Sequence, residues 1–142
     1  MTVDECCNRY IELFENLTPD RLGDLAALLS QDVRFRDPFN DVHGVPAMLR
    51  VLEDMFERTE NPAFSVTHYC IDGERAYLNW RFSARVPVLG DWSVEGVSLL
   101  HFDRGGKVCA HLDYWDAGLL YARIPLLGWL IGRLRRRLAA KG

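Results

Sequence analysis

Long apolar runs are missing from this sequence. The longest nearly apolar run, residues 124–132, falls far short of the roughly 20 apolar residues that a bilayer-crossing helix needs. Low-complexity segments and internal repeats are missing too. The N-terminus has neither a basic region nor an apolar core of the secretory type; it is acidic and patterned as a helix, so no signal peptide is expected and the expected location is the cytoplasm. The four cysteines, Cys6, Cys7, Cys70 and Cys109, lack the spacing of a disulfide framework or a zinc site. Cys6 and Cys7 are neighbours on one helix and point in different directions, so reduced thiols are expected. Acid is missing beyond Asp116: residues 1–116 hold twenty acidic and eleven basic side chains and sum to −9, whereas the remainder carries six basic ones and sums to +6. Such a tail can fold back on the body or meet an anionic membrane or partner. Nucleic-acid binding is not expected, because the body is acidic and no base-stacking platform accompanies the arginines.

What is present is one domain's worth of chain, 142 residues with ordinary hydrophobic and charged fractions. Its organising stretch is residues 33–44, V-R-F-R-D-P-F-N-D-V-H-G. The first five alternate with the strand period, placing Val33, Phe35 and Asp37 on one face and Arg34 and Arg36 on the other. Asp37 therefore ends an apolar row that should point inward, and Pro38 stops the strand. An inward carboxylate is costly unless it is paired, hydrogen-bonded or protonated.

Before this stretch, Thr2-x-x-Glu5 reads as a capping box for a helix whose stripe is Val3, Cys7, Tyr10, Phe14 and Leu17. Thr18 and Pro19 read as cap and first turn of a second helix, ending near Ser30. A third helix runs from Pro46 to about Thr59. Four strands follow: residues 63–71, with Phe64, Val66, His68 and Cys70 on one face; 75–86; 92–102; and 107–115, which places Cys109, His111, Asp113 and Trp115 together. Residues 117–138 read as one or two helices interrupted by Pro125, with an apolar face and the arginines 133 and 135–137 behind it. Helices followed by a long antiparallel meander make an α+β order, a bent sheet over helices that encloses a pocket at one end.

This order resembles the nuclear transport factor two-like superfamily, a cone of curved antiparallel or mixed sheet wrapped over helices. The ketosteroid isomerase and SnoaL-like polyketide cyclase branches are the most similar. The resemblance runs from residues 9–13 through Asp37-Pro38-Phe39, the helix start at Gly44, Phe102-Asp103 and residues 113–116. It implies a single domain over residues 1–142, with a basic amphipathic helical tail over 117–142, and a small-molecule pocket without cofactor or metal. It also implies a homodimer and proton transfer of isomerase or cyclase type on a small apolar cyclic carbonyl compound. By position, Asp37 matches the isomerase base, Tyr10 the hydroxyl donor, and Ser98 stands where a protonated aspartic acid is found. Asp113 also matches an essential aspartate of limonene-type epoxide hydrolases, but Trp80 and Phe82 occupy the positions of their arginine and second aspartate. Alternatives of another class are a non-catalytic ligand-binding or dimeric interaction module and a peripheral membrane protein.

Each candidate has a purely structural counterpart. Asp37 is a base or the cap of the turn that follows it. Tyr10 is an oxyanion donor or a core tyrosine with a satisfied hydroxyl. Asp113 and His111 are catalytic and substrate-lining groups or a buried hydrogen-bonded pair supporting the sheet. Trp80, Phe82 and Trp115 are pocket wall or core. The tail is a lid on the cone, a dimer contact or a membrane-surface helix.

Overall fold

The computed structural model describes residues 1–140. Thr2 caps the first helix, α1 (Val3–Glu15), accepting from the Glu5 amide at 3.1 Å, and the helix buries Cys6, Cys7, Tyr10, Leu13 and Phe14. A short 3-10 turn (Pro19–Arg21) then leads into α2 (Leu22–Ala26). Thr18 precedes the turn but its side chain makes no capping bond. α2 stops well short of Ser30, because strand β1 (Leu29–Arg36) already begins there and pairs Leu29 with Val108. A distant strand thus overrides local helix preference.

β1 turns through residues 37–40 into a short strand, β2 (Asp41–His43), which sequence reading did not separate from the loop. Gly44 (φ +95°) carries the chain into α3 (Val45–Arg58), with Met48 and Leu52 buried. The meander follows as β3 (Glu60–Asp72), β4 (Arg75–Val86), β5 (Gly90–Phe102) and β6 (Val108–Tyr114). β6 lands beside β1 in parallel, giving one curved, unclosed six-stranded sheet in the order β2-β1-β6-β5-β4-β3, with every other pairing antiparallel. β3 is an edge strand, which is why Pro62 is tolerated within it.

The inner sheet face and the helices share one core. β4 supplies Ala76, Leu78, Trp80, Phe82 and Ala84 to it, as their alternation predicts. Leu13, Leu25, Val33 and Met48 are fully buried, each contributing about 1.5–3 kcal/mol by removal from water. Two irregularities shift the alternation. In β3 the register slips between Val66 and His68, so Tyr69 rather than His68 turns toward α1 and bonds Asn8; His68 and Cys70 face solvent, contrary to the period-two reading. In β6 a slip beside Phe102 lets both Val108 and His111 point inward.

The tail forms α4 (Gly118–Tyr121) and α5 (Leu127–Leu138) on either side of Pro125. Between them Leu126 (φ +69°) centres a three-residue turn closed by Leu127 N donating to Pro125 O at 2.8 Å. Leu120 of α4 packs on the core, whereas α5 buries no residue, so α5 does not lid the cone. Among the described residues no helix is long and apolar enough to cross a membrane.

Candidate functional site

The polar centre of the cone is assembled from three strands and one helix. The stripe of α1 delivers Tyr10, fully buried, with its hydroxyl 2.6 Å from Nδ1 of His111 on β6. The imidazole is 3% exposed and sits between the rings of Phe14 and Phe35, with centroids at 5.5 and 5.1 Å. Its Nε2 lies 2.7 Å from Oδ1 of Asp113, two residues on along the same inward face. Ser98 stands opposite Asp113 in the β5–β6 register and donates to the same Oδ1, while its oxygen accepts from the Trp80 indole at 2.8 Å.

The donor directions in this network are determined by what each group can do. Indole is only a donor, an ionised carboxylate is only an acceptor, and the serine hydroxyl relays between them. Burial, followed by the nearby charge of Asp113, pushes the Tyr10 hydroxyl well above its ordinary range, so it stays protonated and donates to His111 Nδ1. The imidazole then carries its proton on Nε2, toward Asp113. Every donor in the chain points, directly or through a neighbour, at one carboxylate. Among the described residues no buried side-chain nitrogen or oxygen lacks a partner.

Asp113 is also where the network meets solvent. Its side chain is 14% exposed, among the described residues all its hydrogen bonds fall on Oδ1, and the residue lines an open cleft of about 490 Å³. Arg36, Asp37, Pro38, Tyr114 and Trp115 line the rest of that cleft. Arg36 lies over the Tyr114 ring at 5.2 Å and donates to its hydroxyl. Trp115 continues into an aromatic wall, with Trp92 and Phe39 each at 5.5 Å between centroids, and Tyr121 of α4 leans on Phe39 at 6.1 Å. A second cavity, about 280 Å³, lies between the ends of α1 and α3 and the start of β3. Its one carboxylate, Glu15, is held by the Val66 amide, so the cleft is the place with chemistry to offer.

The structure divides the candidates predicted from sequence into two groups. Tyr10, Trp80, Ser98, His111 and Asp113 come together, but only Asp113 of these reaches the cleft. Asp37 reaches the cleft from the other side and does not meet Tyr10, whose hydroxyl is taken by His111. Nor is Asp37 the inward end of a buried row: it is half-buried just past β1, and its Oδ1 accepts from the amides of Phe39 and Asn40 at 2.8 and 2.7 Å. That is the turn-capping alternative, and the Asp-Pro start of a turn was its signal in the sequence. Phe82 is core, its ring tilted against that of Phe64 at 4.8 Å between centroids, and Trp115 is cleft wall. Arg36, Phe39 and Tyr121 were not read as site residues; nothing in their local pattern distinguishes them. His101 lies on the outer side of β5, away from His111 and Asp113, and among the described residues no group of three potential metal ligands forms.

No curated protein matches the chain. Solved structures do. A nuclear transport factor two-like protein of unknown function from Burkholderia pseudomallei superposes with a TM-score of 0.74 at 17% identity, over 87% of this chain and 97% of that one. A provisionally named SnoaL-like polyketide cyclase from Shewanella denitrificans gives 0.71 at 17%, over 85% and 95%. A protein with a ketosteroid isomerase-like fold from Catenulispora acidiphila, solved with trimethylamine, gives 0.71 at 16%, over 87% and 93%. At such identities the likeness is one of fold. The sequence profile of the SnoaL-like domain matches residues 8–111, from the helix that carries Tyr10 to the strand that carries His111, and the chain belongs to that family.

Proposed function

We propose that this chain is a small-molecule pocket protein whose cleft, between Asp37 and Asp113, carries out cofactor-independent proton transfer on a small apolar cyclic carbonyl compound. The observation that carries the reading is the Asp113 carboxylate: Oδ1 is held by Ser98 and His111, Oδ2 has no hydrogen-bond partner among the described residues, and the residue lines the cleft. A base held in this way needs no reorganisation as it works. Oδ2 takes a proton from the carbon beside the carbonyl, the electron pair of that C–H bond moves into the enolate, and the same proton is returned at another carbon. Arg36 on the cleft wall offers positive charge to the enolate oxygen. The apolar ring of the substrate lies against Trp115. Tyr10 and His111 act behind Asp113 as positioning residues, and Asp37 shapes the opposite wall. Isomerase- and cyclase-like names among the structural relatives support this reaction class.

The test is isomerisation of a β,γ-unsaturated cyclic ketone to its conjugated enone, followed by ultraviolet absorbance. Asp113→Asn keeps the hydrogen-bonding shape and removes the base, and turnover is expected to fall about a hundredfold or more. Unchanged turnover in that variant rejects the reading.

A second reading, a ligand-binding module without turnover, is favoured by the filling of the cone itself. Tyr10 and His111 are buried among aromatic rings, so a ligand rests in the open cleft rather than in a closed chamber. Mass spectrometry of what co-purifies, combined with absence of turnover in the wild type, distinguishes the two.

A further inference from the structure

Leu127, Leu130, Leu134 and Leu138 recur at steps of three and four along α5 and so form one stripe. They are 40, 51, 56 and 76% exposed, and no residue of the helix is buried. Four arginines share the helix, Arg133 and Arg135 to Arg137. Only Arg135 has an acidic partner among the described residues, Asp116 at 2.5 Å. Arg133 instead stacks on the exposed Trp129, 5.6 Å from its ring. The helix reaches the rest of the molecule chiefly through α4, where Gly128 lies close against the Ala122 carbonyl and Gly118 leaves room for Arg135. α5 therefore presents a bare leucine stripe bordered by guanidinium groups, on a segment of +6 attached to a body of −9.

We propose that α5 is a docking helix for an anionic lipid surface, lying in the plane of the interface with its leucines among the acyl chains and its arginines at the headgroups. Charge complementarity selects this occupant. A helix with apolar residues on one side, arginine on the other and an exposed tryptophan has the composition of interfacial helices, and long arginine side chains reach upward from a buried stem. The acidic body is repelled by the same surface, so the molecule lands tail first. A second copy offers its acidic body and an apolar group on the outer sheet face, where Tyr77, Leu99 and Leu112 are partners across three strands beside Val97 and Tyr114, so a dimer is the competing outcome that the test below separates. This inference does not depend on the catalytic reading.

The experiment is sedimentation of the full chain with vesicles of phosphatidylcholine alone and of phosphatidylcholine mixed with phosphatidylglycerol. Selective pelleting with the anionic vesicles, weakened by salt, is expected. Each arginine near such a surface is worth about fivefold in partitioning, so Arg133→Gln with Arg137→Gln lowers binding about 25-fold. Leu130→Glu with Leu134→Glu abolishes it, and circular dichroism of these exposed-site variants stays that of the wild type. Equal pelleting on both vesicles, no pelleting, or wild-type binding by the leucine variant overturns the proposal. So does a wild type that ignores vesicles but forms a dimer that the leucine variant dissolves.

Discussion

Nε2 of His111 stands 2.7 Å from Oδ1 of Asp113, while Nδ1 of the same ring takes the Tyr10 hydroxyl at 2.6 Å. One imidazole thereby ties α1 to β6 and orients the single carboxylate through which the buried network opens to the cleft. A structural pair and a catalytic pair look alike at this level; they differ in what happens when each member is altered.

Tyr10→Phe removes the hydroxyl and leaves Nδ1 of a buried imidazole without its donor. The expected loss is about 1–3 kcal/mol of stability, read from the urea midpoint. A midpoint equal to the wild type would show that the tyrosine fills space without holding the ring.

Asp37 separates by two substitutions. Asn retains an oxygen for the amides of Phe39 and Asn40, so Asp37→Asn is expected to melt within a few degrees of the wild type. Asp37→Ala loses both bonds and is expected to cost about 1–3 kcal/mol. Identical melting of the Ala variant would remove the capping role that the geometry assigns.

Gly96 lies opposite Trp80, and a methyl group there would collide with the indole ring. Gly96→Ala is expected to cost about 1–3 kcal/mol by overpacking and to pull the indole away from Ser98, with a shift in tryptophan emission. Wild-type stability together with wild-type emission would contradict this.

Burial, helped by Cys6 and Asp4, pushes the Cys7 thiol from 9.0 up to about 11. The unfolded chain releases this proton as pH passes 9, the folded chain only near 11, so the folded state binds the excess proton in between. Stability from this group is complete below pH 9 and falls by about 2–3 kcal/mol by pH 11. Tyr10, also raised by burial, extends the decline above pH 10. Denaturant midpoints measured across this range should fall less steeply for Cys7→Ala. An identical slope would sink the assignment.

Much of the fold is legible in local pattern. The helix cap at Thr2 and the uninterrupted alternation of Ala76 to Ala84 each report forces within a few residues, and they fall where the sequence puts them. The errors fall where a distant partner decides. Leu29 leaves the helical pattern because Val108 pairs with it, and His68 leaves the inner face because β3 slips one residue against β4. A period-two reading has no term for a bulge, which depends on the neighbouring strand.

The candidate site divides along the same line. Residue types and spacing alone determined that Tyr10 belongs to a buried stripe, that His111 and Asp113 share a face, and that an acid-free basic helix ends the chain. Only tertiary structure decided that Tyr10 meets His111 rather than Asp37, that Ser98 turns its hydroxyl to Asp113, and that α5 is left uncovered. The reason is physical. Periodicity records which side of its own element a side chain takes, but a hydrogen bond between residues 101 positions apart depends on how helix and sheet pack, and that is set by the whole core at once.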